Sequence, residues 1–207
     1  MRSQVQRAPR SEILDHLEDL LGLDATQIAV QVANLSRVGN SEAAFTTLKT
    51  YDATLGGVGV YSITDKHPPG VYRALFYVDM FLRQPGAENH SRFIILSACG
   101  YLEELLKYVV RLWPWEKFNA DGLPLGALAK RTSEHLPSDL ADELAWLSSK
   151  VYNFAKHEFN LKHEFGDQQP EHYFQLDEAV AVYLIVRKLG LGLEQLIGKT
   201  PGQLMQE

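Results

Sequence analysis

The chain has 207 residues, of which 45% are hydrophobic and 22% charged, with a formal net charge of −6 and a pI near 5.6. That length supports one domain with a substantial core, and the composition excludes a chain held open by its own charge. The acidic balance excludes a surface that attracts phosphate backbones everywhere, and leaves a local basic cleft as the only route to a nucleic acid.

The N-terminal stretch "MRSQVQRAPR" carries three arginines among polar residues, and no signal-peptide apolar core follows it, so residues 1–10 are expected to form a loose arm. Ser11 then precedes "EILDHLEDLLG", where Ile13, Leu14, Leu17, Leu20 and Leu21 recur at helical spacing and Gly22 supplies a stop. Asp24 and Gln27 have the spacing of a capping box for a second helix to about Leu35, and "GNSE" opens a third across Phe45 and Leu48. From Leu55 the glycines and β-branched residues of "LGGVGVYSITD" suit an extended segment, with room for one short β-hairpin around Val58 to Ile63. Those glycines do not make a phosphate loop, because the lysine-serine ending and the following helix N-terminus are both missing.

After "HPPG" the pattern predicts a helix from Val71 to Leu82, and "RQPGAENHS" breaks it at the best internal boundary. Residues 11–88 are therefore read as an N-terminal helical region and residues 89–198 as a helical bundle, with a frayed tail over residues 199–207. The longest pattern runs from Ser91 to Trp113, with the small residues of "SACG" in mid-helix where a neighbour can approach closely. Pro114 to Gly126 reads as a loop anchored by Trp113, Trp115 and Phe118, before a short helix in "PLGALAKRT". A helix opens at Ser138 with acids in its first turn, and a final buried helix is expected from Leu176 to Leu189, stopped by Gly190. Glu103, Glu104, Lys107, Arg187 and Lys188 interrupt the most apolar segments, so no membrane partner is expected. The single cysteine, Cys99, cannot form an intrachain disulfide and fits a packed side chain in a cytoplasmic protein.

Chemistry concentrates in "KVYNFAKHEFNLKHEF", residues 150–165. Leu140, Leu144, Leu147, Val151 and Phe154 share one helical face and form the expected core stripe. Lys150, Asn153 and His157 form a second stripe about 100° round from it, at the edge of the core where the wall of a cleft lies. His163 is rotated about 240° from His157, so one helix cannot offer both to a metal, and a site from His157, Glu158 and His172 is the weaker alternative. No metal and no cofactor is expected. Glu103 and Lys107 have the spacing of an intrahelical ion pair.

"YNFAKH", from Tyr152 to His157, resembles the Arg-Asn-x-x-x-His signature of the HEPN superfamily, and "SACGYLEELLKYVVRL" is similar to the long early helix of such domains. The resemblance implies an all-α helical bundle, here with an N-terminal helical extension, and a metal-independent ribonuclease of prokaryotic toxin, defence or stress systems. It implies a homodimer with RNA, and not DNA, as the partner. Carried over, His157 is the general acid or base and Asn153 orients it or binds phosphate. Tyr152 stands where the family has arginine, and Lys150 is the nearest substitute for that charge. The alternative the resemblance leaves open is a noncatalytic dimerisation or interaction module.

Overall fold

The computed structural model describes residues 7–56, 70–113, 119–156 and 174–198. All the regular structure there is helical, as the sequence pattern predicts, and no strand occurs among the described residues; Val58 to Ile63 lie outside them. The helices are α1 (Arg10–Leu21), α2 (Leu23–Arg37), α3 (Ser41–Thr54), α4 (Arg73–Arg83), α5 (Ser91–Arg111), α6 (Leu125–Thr132), α7 (Ser138–Trp146) and α8 (Leu176–Ile197). Short 3₁₀ turns at Gly70–Tyr72 and Ala87–His90 lead into α4 and α5, and a π-helical turn over Leu147–Tyr152 prolongs α7. No helix among the described residues is long and apolar enough to cross a membrane.

α5 and α8 make the central pair, with α4 and α6 against α5 and with α1 and α2 against α8. Both central helices are buried around most of their circumference, from Ile94 to Val110 on α5 and from Leu176 to Leu193 on α8. A helix apolar on nearly every face needs neighbours on every side, and α1 to α3 supply part of that cover: Ile13, Leu17, Val32 and Leu48 join the same continuous core as Leu102, Leu144 and Ile185.

Several helix ends differ from the sequence expectation. α1 begins at Arg10 after Pro9, and α2 follows Gly22 directly, so neither Ser11 nor Asp24 caps with its side chain. Gly22 sits at φ +88, a conformation open to glycine, and lets the two helices meet with no intervening loop. α3 is capped as its sequence suggests, the Asn40 side chain accepting from the Ala43 amide at 3.3 Å. α8 opens on a capping box made by Gln175 and Glu178, and it does not stop at Gly190 but runs to Ile197, ending on Gly198 in the left-handed region. Gly190 is needed for another reason: a Cβ there would collide with the Tyr101 ring.

Arg7 to Arg10, expected in the loose arm, are held in place. The Ala8 amide donates to the Lys150 carbonyl at 3.0 Å, Arg7 pairs with the buried Glu178 at 2.7 Å, and Arg10 donates to the buried Asp177 at 2.9 Å. Two buried acids in the first turn of α8 thus recruit cations from the N-terminal chain, since a carboxylate out of water requires a partner.

Candidate functional site

The helix that begins at Ser138 does not keep α-helical register. Between Leu147 and Tyr152 it widens into a π-helical turn and returns to α-helix over residues 153–156. A π turn inserts an extra residue per turn, and such turns recur at functional positions. Here it buries Ser148 and Tyr152 beside Leu147 and Val151, whereas an unbroken α-helix would turn the first two away from the core stripe. Ser148 faces α6, its hydroxyl 2.6 Å from where a Cβ on Gly126 would sit. Past the turn the stripe has slipped by one residue: Ala155 is fully buried, and Phe154, expected at the centre of the stripe, is half-buried at its edge.

Tyr152 turns inward. Its hydroxyl donates to Glu103 Oε2 at 3.3 Å, and burial first, then the Glu103 charge, pushes its pKa far above the ordinary tyrosine value. The same Glu103 carboxylate accepts from the Leu125 amide at the start of α6 (2.9 Å) and from Lys107 Nζ (2.9 Å). Glu103 therefore makes the ion pair its spacing predicts and also ties three helical segments together. Burial works against the charge on Lys107, but its hydrogen bonds to Glu104 and Glu103 outweigh that and raise its pKa. Cys99, on the same helix, is fully buried; burial and then Glu103 push its thiol up, which keeps it protonated and unreactive at neutral pH.

Two residues of the polar stripe, Lys150 and Asn153, are less buried than Tyr152. Asn153 is exposed, Lys150 is half-buried, and the exposed Lys156 places its ammonium 5.6 Å above the Tyr152 ring. His157 lies outside the described residues, as do Glu158, His163 and His172. The structure thus separates Tyr152, which belongs to the interior, from Lys150 and Asn153, which belong to the surface. Among the described residues no group of three or more His, Cys, Asp and Glu side chains is arranged to hold a metal.

A cation that sequence spacing does not reveal lies against residues 155 and 156. Arg92, in the first turn of α5, donates from Nε to the Ala155 carbonyl at 2.5 Å and from its guanidinium to the Lys156 carbonyl at 3.3 Å. A guanidinium donating to two successive backbone carbonyls fixes the first turn of α5 against this helix. Lys156 and Arg92 thereby stand at the point where the chain enters His157. Comparison with family models, with curated proteins and with solved structures gives no match to this chain.

A second polar constellation lies inside the bundle and was not legible as a site. Arg187, Asp52 and Glu194 are all at least 97% buried. Arg187 donates to Asp52 at 2.8 Å and to the Tyr101 hydroxyl at 3.2 Å, Tyr101 donates to Glu194 at 2.8 Å, and Tyr72 donates to the same Glu194 oxygen. Burial opposes the Arg187 charge, but Asp52 and the facing tyrosines hold its pKa well above the ordinary value; burial also drives the Tyr72 and Tyr101 pKa values up. Every charge in this network has a counter-charge or a hydroxyl within hydrogen-bonding distance, so it reads as a structural device joining α3, α5 and α8. The signal that could have found it is Arg187 itself, an arginine in a helix apolar on nearly every face, which cannot be buried alone.

Proposed function

We propose that this protein is a HEPN-like helical bundle that acts on RNA without a metal, as an endoribonuclease or RNA-binding protein in a defence or stress setting. The observation that carries the reading is that Lys150 and Lys156 stand three residues either side of the exposed Asn153, and that Arg92 donates to the Ala155 and Lys156 carbonyls just before His157 in the chain. Cations at that place supply what the Tyr152 position lacks, positive charge for the phosphate as it becomes a phosphorane. In the corresponding chemistry His157 takes the proton of a ribose 2′-hydroxyl, the 2′-oxygen attacks the adjacent phosphorus, and the 5′-oxygen of the next nucleotide leaves with a proton. The products are a 2′,3′-cyclic phosphate and a 5′-hydroxyl. A histidine suits both transfers near neutral pH.

The burial of Tyr152 against Glu103 favours a second reading, a noncatalytic interaction module, because the motif position that should face the phosphate is part of the core. Incubation of purified protein with single-stranded and structured RNA in excess chelator separates the two. Cleavage that survives chelator and is lost in His157→Ala is the expected result, and no cleavage by the wild type leaves the second reading.

A further inference from the structure

Exposed aromatic residues gather beside the candidate site. On α4, Tyr77 is 44% and Met80 38% exposed, and on α5 Phe93 is 44% exposed. Phe81 lies one helical turn from Tyr77 and stacks on Phe93, with ring centroids 5.6 Å apart and planes 26° apart; His90 stacks on Phe81 at 5.4 Å. Phe93 adjoins Arg92, whose guanidinium is 5.9 Å from the centre of that ring and also binds the Ala155 and Lys156 carbonyls. A continuous path of neighbours therefore runs from Tyr77 through Phe81, Phe93 and Arg92 to Lys156 and Asn153.

Among the described residues the charges along this path are mainly positive, in a chain whose net charge is −6. Arg73 and Lys156 are exposed and Arg92 is half-buried, and none of the outward residues of α4 or of the first three turns of α5 is acidic. Asp79 is buried, Glu42 is paired with Arg83, and Glu88 faces Arg37 on α2 at 3.8 Å. Half-exposed rings flanked by cations, with no acid among the outward described residues of α4 and the first three turns of α5, match the chemistry of a single nucleic-acid strand, whose bases stack on aromatics while its phosphates meet Arg and Lys. A second copy of the chain would bring the same positive charges to both sides of an isologous interface, which makes it a poorer occupant than a polyanion.

We infer that the α4–α5 aromatic face is a stacking subsite for single-stranded RNA, leading the strand toward Asn153. This rests on the proposed action on RNA. The rings bind bases by their faces, so the subsite takes unpaired nucleotides with little sequence preference and takes duplex poorly.

Fluorescence anisotropy tests this with labelled single-stranded oligouridine and oligoadenosine of about twelve nucleotides, and a duplex of equal length. The variants are Tyr77→Ala, Phe93→Ala, Phe93→Trp and Asn153→Ala, with chelator-resistant cleavage measured in parallel. Phe93→Ala and Tyr77→Ala should each weaken single-strand binding about tenfold, Phe93→Trp should retain it, and duplex should bind worse than single strand. Both positions are exposed, and an unchanged melting temperature confirms the fold. Wild-type affinity in Phe93→Ala and Tyr77→Ala, alongside weakened binding in Asn153→Ala, overturns the subsite and leaves the action on RNA standing. Equal binding of duplex and single strand also overturns it. So does a wild-type dimer, seen by light scattering, that Phe93→Ala converts to monomer, because the face then belongs to a second copy. Absence of both binding and cleavage in the wild type removes the action on RNA itself.

Discussion

The molecule holds two collections of charge built on opposite plans. Inside, Arg187, Asp52, Glu194 and the tyrosines at 72 and 101 exchange hydrogen bonds among themselves. Along the π-interrupted helix, by contrast, Arg92 meets backbone carbonyls, Lys156 lies over a tyrosine ring and Asn153 is exposed to solvent. Mutually satisfied charges in a low-dielectric interior hold a fold in one arrangement, while polar side chains at the surface remain within reach of a ligand. Perturbed titration follows the same division: the large upward shifts fall on the buried Tyr72, Tyr101 and Tyr152. Among the described residues the largest displaced pKa values mark the framework.

The sharpest way to break the comparison is to remove one member of the interior set. Arg187→Met leaves Asp52 buried with its closest partner gone and should cost about 3–5 kcal/mol, read by urea denaturation. The paired change Asp52→Leu with Arg187→Met should recover much of that loss, because an apolar pair carries no stranded charge. Next in size, Gly190→Ala drives a methyl group into the Tyr101 ring and should cost about 1–3 kcal/mol by overpacking, more than the gain in helix propensity returns.

These effects mark where sequence reasoning reached and where it stopped. Helical periodicity was enough for α1, α5 and most of the helix from Ser138, since Ile13, Leu14 and Leu17, or Ile94, Leu102 and Leu105, repeat at a spacing that only a helix can place on one face. The course of α8 was not legible because its determinant is remote: local propensity penalises Gly190, and the ring of Tyr101, far away in the chain, requires it. The π turn is likewise set by tertiary demands, Ser148 against Gly126 and Tyr152 against Glu103. Lys150 and Asn153 could be singled out from their spacing within one helix. Arg92 could not, because its place beside Ala155 exists only once α5 packs against that helix.

A pH series sharpens the same contrast. Unfolded chains release tyrosine protons near pH 10, whereas the folded protein keeps those of Tyr72, Tyr101 and Tyr152 to higher pH. The folded state then binds more protons than the unfolded one above pH 10, so stability is fully present below that point and falls as pH rises beyond it. Melting temperatures between about pH 9 and 11 should show this decline, and Tyr72→Phe should make it shallower. Tyr152→Phe removes one 3.3 Å hydrogen bond to Glu103 and should cost about 1 kcal/mol or less, with no change in RNA affinity, because that ring faces the core.

The smallest expected effect on stability belongs to the surface, where it meets the largest expected effect on binding. The double variant Asn153→Ala with Lys156→Ala alters two exposed side chains and should shift stability by no more than about 0.5 kcal/mol per site. Titration of this variant and the wild type with single-stranded RNA, next to Arg187→Met under conditions where it remains folded, is the most direct test of the division drawn here. The account predicts weakened binding in the surface variant at unchanged melting temperature, and wild-type affinity in Arg187→Met. Undiminished binding in the surface variant, or a loss confined to Arg187→Met, would contradict it.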